Sequence, residues 1–438
     1  MKKRLSNLEL TYQCEADFSE PDRYKDLFTI DMNQKLITQG AGLSYAAASF
    51  FKGTNTVNMR KFDRILNFSP DNETIEVEAG ISLKKLFDFL TPRGYYLSIQ
   101  PGWPDLCIGS LVATNVHGKN QYLDGIFYVI TQSIKLYHPN YGITSCSRSE
   151  NTEIFELTCG GLGLTGIILS ACLKIKKLKG NFLKREIIPV DNLFNTVEMI
   201  TEHRDKHDIL MSWTNISNPR KNFGEGFLIT GNFYEKNEYY RNKVYRKLNP
   251  NKSNKLRFKV FNQYSLPFIN KLYYYKETRK RFPYDISLFD ALYPFHNKGF
   301  YFDLFGHRGF IAQQILIPEE SIFEFIKEFE SIIKHADIPI VLSALKAFRG
   351  QQNLLNFNGN GFSLYCDFFN NSDSIKFLDK FNDLATDHGC ISNIIRNSYL
   401  SAKIVKDQYN QYDEFKDRLY HFDPDRLFVS EISNRLEL

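Results

Sequence analysis

The pentapeptide Val116-His117-Gly118-Lys119-Asn120 constrains this chain more than any other stretch. It joins an apolar run, Leu106 to Val116, to a glycine turn at Asp124-Gly125. A small-residue loop carrying an imidazole, an amine and an amide is poor material for a core, because buried polar groups cost free energy unless they find partners. It suits a wall of a buried site that holds something polar. Glycine-bearing segments flank it, Gly40-Ala41-Gly42-Leu43-Ser44-Tyr45 upstream and Gly160-Gly161-Leu162-Gly163-Leu164-Thr165-Gly166 downstream. Consecutive backbone N–H groups in such loops can cradle phosphate oxygens. Their recurrence points to one large phosphate-bearing ligand rather than to separate turns.

Composition narrows the class. A chain of 438 residues fits two or three domains and needs no covalent staples. The net charge of +5 is too small for a dedicated nucleic-acid binder. The seven cysteines are scattered and form no CxxC pair, so reduced thiols in a cytoplasmic protein are expected, with neither a disulfide framework nor a metal site. The basic N-terminus, Met1-Lys2-Lys3-Arg4, is followed by no apolar core and does not read as a signal peptide. The longest apolar stretch, Leu162 to Ile175, is broken by Thr165, Ser170 and Lys174 and is too short to span a bilayer.

Strands and helices alternate over residues 26–178. Lys35–Thr38 and Thr56–Met59 read as strands, and Asn67–Ala79 as a hairpin turning at Ser69-Pro70-Asp71-Asn72. Ser82 caps a helix with Leu83, Leu86, Phe87 and Leu90 on one face. Gln132–Tyr137 and Ile167–Ile175 are strands again. Further on, Val190–His203 reads as a helix capped by Asp191, and Glu319–His335 as a helix burying Ile322, Phe325, Ile326, Phe329 and Ile332. Strands at Leu210–Trp213, Phe227–Gly231, Phe310–Ile317, Pro339–Leu345 and Gly361–Phe368, with a helix at Ser374–His388, suggest an antiparallel sheet with helices on one face. Asp407 to Leu438 reads as charged and helical. The fold class is α+β.

Each motif has a plain reading beside the chemical one. Gly161-x-Gly163-x-x-Gly166 matches the dinucleotide fingerprint by letter, but that fingerprint must open a helix, and Ile167–Ile175 reads as a strand. A tight glycine turn is the alternative there. No Gly-Lys-Ser/Thr follows the first glycine loop, which excludes the Walker pattern. A lone histidine is commonly a satisfied core residue, and Gly118 and Lys119 beside His117 argue for more. Cys366 and Cys390 read as buried thiols. From Arg241 to Arg281 the one acid is Glu277, while Lys and Arg recur among Phe261, Tyr273, Tyr274 and Tyr275. That stretch reads as a solvated loop or as a contact with an anionic membrane surface.

Taken in order, the Gly40–Tyr45 loop, Val77-Glu78-Ala79-Gly80 before a helix, Pro101-Gly102, Ile108-Gly109-Ser110, His117-Gly118-Lys119-Asn120, Gly160 to Ile168 and the tail from Asp423-Pro424 to Leu438 carry a resemblance. The chain resembles the FAD-linked oxidoreductases of the vanillyl-alcohol-oxidase (PCMH-type) superfamily, and within it the decaprenylphosphoryl-ribose 2-oxidase branch. The match covers most of the chain and is strongest over residues 35–178. It implies a PCMH-type two-subdomain FAD-binding domain over residues 1–178 and a substrate domain over 179–400, its antiparallel sheet covered by helices. A C-terminal segment, 401–438, would pack back on the FAD domain.

The resemblance also implies site residues. The loop from Thr38 to Ala48, with Gly40, Ala41, Gly42, Leu43, Ser44 and Tyr45, would wrap the pyrophosphate of FAD. Gly102, Cys107, Ile108, Gly109, Ser110, Thr114, Asn115, His117, Ile168 and Asn393 would line the cofactor. Many members tether the flavin through a histidine in the first loop; Leu43 stands at that point, so the FAD is expected to be noncovalent. Lys119, Trp213, Tyr293, Gln314 and Lys346 match substrate-pocket positions. Arg396 falls where the family has a lysine beside flavin and substrate. Arginine can hold negative charge but cannot act as a base at neutral pH, so the proton would go to His117, Lys119 or Tyr45. The family's pocket cysteine falls at or beside Tyr365; Cys366 is one residue on, which on a strand reverses the face, and it is not carried over.

The implied activity is oxidation of a secondary hydroxyl of a polyprenyl-phosphoryl or nucleotide-linked sugar to a keto-sugar. In the family this is the first half of an epimerisation, completed by a short-chain reductase, in cell-envelope polysaccharide biosynthesis. An aldonolactone or carbohydrate oxidase using oxygen is an alternative, and so is a non-catalytic flavin-binding scaffold, which Arg396 keeps open. The expected location is the cytoplasm, with peripheral contact at the inner membrane through residues 241–281.

Overall fold

The computed structural model describes residues 1–31, 33–221, 223–236, 257–280 and 282–438. It mixes helices and sheets, as an α+β chain does. An N-terminal hairpin of Lys2–Ser6 and Gln13–Ser19, which sequence patterning did not reveal, opens a four-stranded sheet. Gln13–Ser19 pairs in parallel with Asn55–Asn58, and Asn55–Asn58 with Leu36–Gln39. A second, five-stranded antiparallel sheet has the order Ile65–Ser69, Thr74–Glu78, Ile167–Lys174, Thr131–His138, Gly142–Ser147. Its apolar residues (Ile75, Val77, Ile134, Leu136, Leu173) bury the inner face of the helix Leu83–Leu90, whose Ser82 hydroxyl accepts from the Lys85 amide. The strand Ile167–Lys174 directly follows Gly166, so the glycine fingerprint opens no helix.

Phe182–Val190 through Ile391–Ser392 contribute to one eight-stranded antiparallel sheet. Side chains alternate across each strand. Ile311, Ile315, Leu345, Leu364, Cys366 and Phe368 bury against the helices Leu193–His203, Ile322–Ala336 and Ser372–Asp387. Gln314, Lys346, Ser363, Tyr365 and Asp367 are therefore on the opposite face. Register aligns Gln314 with Tyr365, Tyr365 with Ala344, and Lys346 with Ser363. This polar row is the floor of the site.

Some local expectations are corrected. Asn192, not Asp191, caps the helix Leu193–His203: its side chain accepts from the Asn195 amide. Ile333 rather than Ile332 completes the buried stripe of Ile322–Ala336, because the stripe drifts with the 3.6-residue period. After the short helix Ala402–Gln408, the tail is helical as expected, at Tyr412–Phe422 and Glu431–Arg435. Between the last two, Phe428 bridges to Leu36 at the edge of the first sheet, and Val405, Tyr409, Tyr412 and Leu419 pack with Ile37, Ala46 and Leu164.

Of the basic stretch 241–281, residues 257–280 are described; the rest of that expectation lies outside the described residues. The described part forms a helix, Ser265–Thr278. Phe261 and Tyr273, expected at an interface, pack inward instead: Phe261 against Tyr301 and Phe305, Tyr273 edge-on to Trp213. Among the described residues, no helix is long and apolar enough to cross a membrane.

Candidate active site

The first glycine loop is held by its carbonyls. The Leu8 amide donates to the Ser44 carbonyl (2.9 Å) and Asn7 Nδ2 to that of Tyr45 (2.6 Å). Its N–H groups are left over: among the described residues, no amide from Gly40 to Tyr45 donates to a backbone carbonyl, and that of Ala41 lies against the Cys107 sulfur. Gly40 allows the loop to touch the start of the helix Ile108–Thr114; a Cβ there would come 2.6 Å from Ser110 Oγ and 2.9 Å from Cys107 Cβ. Gathered donors without carbonyl partners suit anionic oxygens such as those of a pyrophosphate.

The downstream glycine segment serves differently. The Gly160 and Leu162 amides donate to the carbonyls of Val112 and Ala113, and that of Gly161 to Thr158. These bonds tie Gly160–Leu162 to the ends of the helices Ile108–Thr114 and Thr152–Thr158, so that part of the segment is a packed turn. Gly160 has φ +90°, and a Cβ there would overlap Asn356 Oδ1. Asn356 in turn accepts from Asn115 Nδ2 (2.9 Å).

His117 and Lys119 follow that helix, in a strand-like segment bridged to Ile126. Gly118 lies close against Ile99 and Gln100; a Cβ would be 3.2 Å from the Gln100 nitrogen. His117 Nδ1 is 3.2 Å from the Gly118 carbonyl and Nε2 3.1 Å from Gln314 Nε2. Gln314 also donates to Ser363 Oγ (2.9 Å), and Asn393 Nδ2 donates to Gln314 Oε1 (2.9 Å). With the Gln314 amide so oriented, Nε2 accepts and Nδ1 carries the proton, a neutral tautomer. Burial, then the charge of Lys346, pushes the His117 pKa well below the ordinary imidazole value, in agreement.

Three basic side chains surround this histidine. Lys119 is only 7% exposed. Burial, followed by repulsion from Lys346 and Arg396, pushes its pKa well below the usual amine range. Lys346 is lowered to about 8 by burial and Arg396. Burial also opposes charge on Arg396, but Tyr45, Tyr365 and Asp367 more than offset it. Arg396 lies over the Tyr45 ring, with Tyr365 on its other flank. Among the described residues no carboxylate is within ion-pair distance of the three, and neither lysine has a hydrogen-bond partner. Behind Arg396, the Tyr301 and Tyr365 hydroxyls donate to Asp367 (2.7 and 2.5 Å), whose pKa burial raises to about 6. Glu9, buried and raised to about 8, accepts from Ser398 and the Ala312 amide.

The residues singled out in the sequence thus divide. Tyr45, Gly102, His117, Lys119, Gln314, Lys346, Asn393 and Arg396 meet at one place, with Gly102 beside Lys119 Nζ. Leu43, Cys107, Ile108 and Ile168 are buried nearby, and Thr38 approaches Gly163. Cys107 is a packed thiol, pushed up to about 12 by burial. Asn115 is a structural pin, its oxygen accepting from the Tyr128 amide, and Thr114 Oγ1 bonds back to the Ser110 carbonyl. Two expected pocket aromatics are corrected. Tyr293 is fully buried, with its hydroxyl on Gln100, which leaves no atom for a ligand. Trp213 is sealed beneath the helix Ser265–Thr278, stacked on Phe227. Asp367, Tyr301, Glu9 and Gln121 were missed. Gln121 ties the two halves together, donating to Asn358 Oδ1 (2.6 Å) and accepting from the Arg349 amide (2.8 Å). The polar Asp367 in the apolar strand Gly361–Phe369 was the one signal available.

Comparison with known proteins names the cofactor that the chain's first domain takes. Residues 30–147 match the FAD binding domain family. The chain carries an FAD-binding domain. Over its length it is similar to decaprenylphosphoryl-beta-D-ribose oxidase of Mycolicibacterium smegmatis, 24% identical over 92% of this chain and 89% of that protein. L-galactono-1,4-lactone dehydrogenase of Arabidopsis thaliana is 25% identical over 39% of this chain and 28% of that protein. Bovine (Bos taurus) L-gulonolactone oxidase is 25% identical over 39% and 40%. The FAD-binding protein described here is an FAD-dependent oxidoreductase acting on CH–OH groups.

Proposed function

We propose that this flavoenzyme oxidises a secondary hydroxyl of a phosphate-bearing sugar, polyprenyl-phosphoryl or nucleotide-linked, to the ketone. The product would be returned as the other epimer by a separate NAD(P)H-dependent short-chain reductase. One observation carries the reading: Lys119, Lys346 and Arg396 converge on His117, and among the described residues no carboxylate lies within ion-pair distance of them. Such a cluster calls for an anionic ligand. When bound, FAD supplies the hydride acceptor. Arg396, always charged, holds negative charge in the site. Lys346, largely protonated at neutral pH, holds the sugar's anionic group. Lys119, whose charged form burial disfavours, takes the hydroxyl proton; His117, fixed by Gln314 and Gly118, orients the sugar. The near full-length similarity to a ribose oxidase supports this reading over an aldonolactone oxidase, whose relatives match a minor part of the chain.

The test is anaerobic reduction of the bound flavin by a panel of polyprenyl-phosphoryl, nucleotide-linked and free sugars, followed by stopped-flow reoxidation. Bleaching by a phosphate-bearing sugar, with slow reoxidation by oxygen and fast reoxidation by a quinone or dye, is expected. Bleaching by aldonolactones alone, with fast reoxidation by oxygen, would overturn it in favour of the oxidase. No bleaching by any sugar would leave a scaffold.

A further inference from the structure

The helix Ser265–Thr278 is firmly seated by one face. Leu266 is buried beside Trp103, Phe302 and Phe310, Asn270 Nδ2 donates to Asn215 Oδ1 (3.1 Å), and Tyr273 packs on Trp213. Its outer face carries a stripe of large apolar side chains. Tyr264 is 82% exposed, Phe268 65%, Leu272 54% and Tyr275 42%. Spacings of four, four and three residues place them on one side of a helix. Phe258, 66% exposed, adds to the same neighbourhood of chain. Soluble surfaces rarely keep so many large apolar groups together without a partner.

Charge says which partner. From 257 to 280 the single acid is Glu277, which is buried and held by Lys280 and Arg185. Lys259, Lys271, Lys276 and Arg279 are exposed. A second copy related by two-fold symmetry would set these like charges against each other. An anionic bilayer complements them, and apolar residues flanked by Lys and Arg are what an interfacial helix presents. The opposite side of the helix covers the sheet face that bears Lys346 and Gln314, Leu266 packing with Phe310 and Ala312 and Tyr273 with Trp213 and Leu342.

We infer that the helix Ser265–Thr278 docks on an anionic phospholipid surface, its apolar stripe in the interface. The docking does not rest on the sugar-oxidation reading above.

Flotation of the FAD-loaded full chain with vesicles tests this. Mixed phosphatidylcholine–phosphatidylglycerol vesicles should bind it, pure phosphatidylcholine vesicles much less, and added salt should weaken binding. Phe268→Ser/Leu272→Ser and Lys271→Glu/Lys276→Glu should each lower binding by at least about tenfold, a change expected from a few interfacial contacts. Both variants should retain flavin and its reduction by a water-soluble short-chain sugar phosphate. Failure of the native protein to bind anionic vesicles, or equal binding by the variants, would overturn docking. So would a dimer in sedimentation velocity that Phe268→Ser/Leu272→Ser dissolves. Vesicle binding without flavin reduction by any sugar defeats the catalytic reading and leaves docking; reduction without vesicle binding does the reverse.

Discussion

Arg396 lies over the ring of Tyr45, its guanidinium carbon 3.9 Å from the centroid. This contact joins the first glycine loop to the eight-stranded sheet, since Arg396 follows the edge strand Ile391–Ser392. A cation over an aromatic face contributes about 0.5–2 kcal/mol, more when desolvated. Arg396→Lys keeps the charge and loses the planar stacking, so flavin reduction should slow by up to about tenfold, or about 1.4 kcal/mol. Arg396→Gln removes the charge and should slow it further. Anaerobic stopped-flow with both variants checks the order; equal rates would remove Arg396 from the chemistry.

Substrate affinity should depend on Lys346. Its folded pKa is depressed to about 8 from an ordinary amine value. The cation is therefore present below about pH 8 and lost above it. Binding of an anionic sugar, followed by flavin perturbation, should weaken as pH rises through that value. Bound anion would itself favour the cation and move the midpoint upward. Lys346→Met should bind weakly at every pH and flatten the profile.

Gln314 holds three partners at once, His117, Ser363 and Asn393. Gln314→Leu leaves the Asn393 amide without its acceptor, which costs about 1–3 kcal/mol. It also releases the His117 ring. Denaturant unfolding should show the loss, and substrate reduction of the flavin should fall more than FAD retention does. Gln314→Glu should instead draw a proton onto His117, adding an ionisation to the pH–rate profile that the native protein lacks.

What could be read from the chain, and what could not, follows the range of the interactions. Local periodicity found the helix Leu83–Leu90, the strand after Gly166 and the alternation that turns Cys366 to the helices and Tyr365 to the floor. Distant partners were invisible. Glu9 meets Ala312 and Ser398 across 303 and 389 residues, so nothing near Glu9 announces it. Tyr293 and Trp213 were misjudged because an aromatic residue looks alike in sequence whether it faces a ligand or is sealed under a helix. The basic stretch hid an amphipathic helix, because its inward residues mix Leu266 with the polar Asn270 and Glu277.

Leu43 is buried in the first loop and offers no nucleophile. The purified protein should be yellow, and acid or heat should release intact FAD into the supernatant. Flavin remaining with the precipitated chain would contradict a noncovalent cofactor.

Two glycines separate cradle from turn. At Gly40 a Cβ would meet Ser110 and Cys107 side chains, so Gly40→Val should push the loop off the helix Ile108–Thr114 and disorganise the N–H groups offered to the pyrophosphate. FAD should dissociate more readily, with modest loss of apoprotein stability. At Gly160, φ is +90° and a Cβ would overlap Asn356. Gly160→Ala should destabilise the fold by about 1 kcal/mol or more through backbone strain and loss of the Asn115–Asn356 pin. Because the Gly160 amide serves the end of the helix Ile108–Thr114, FAD affinity measured on the folded fraction should change little. Equal losses of FAD affinity in both variants would return the downstream segment to the phosphate site.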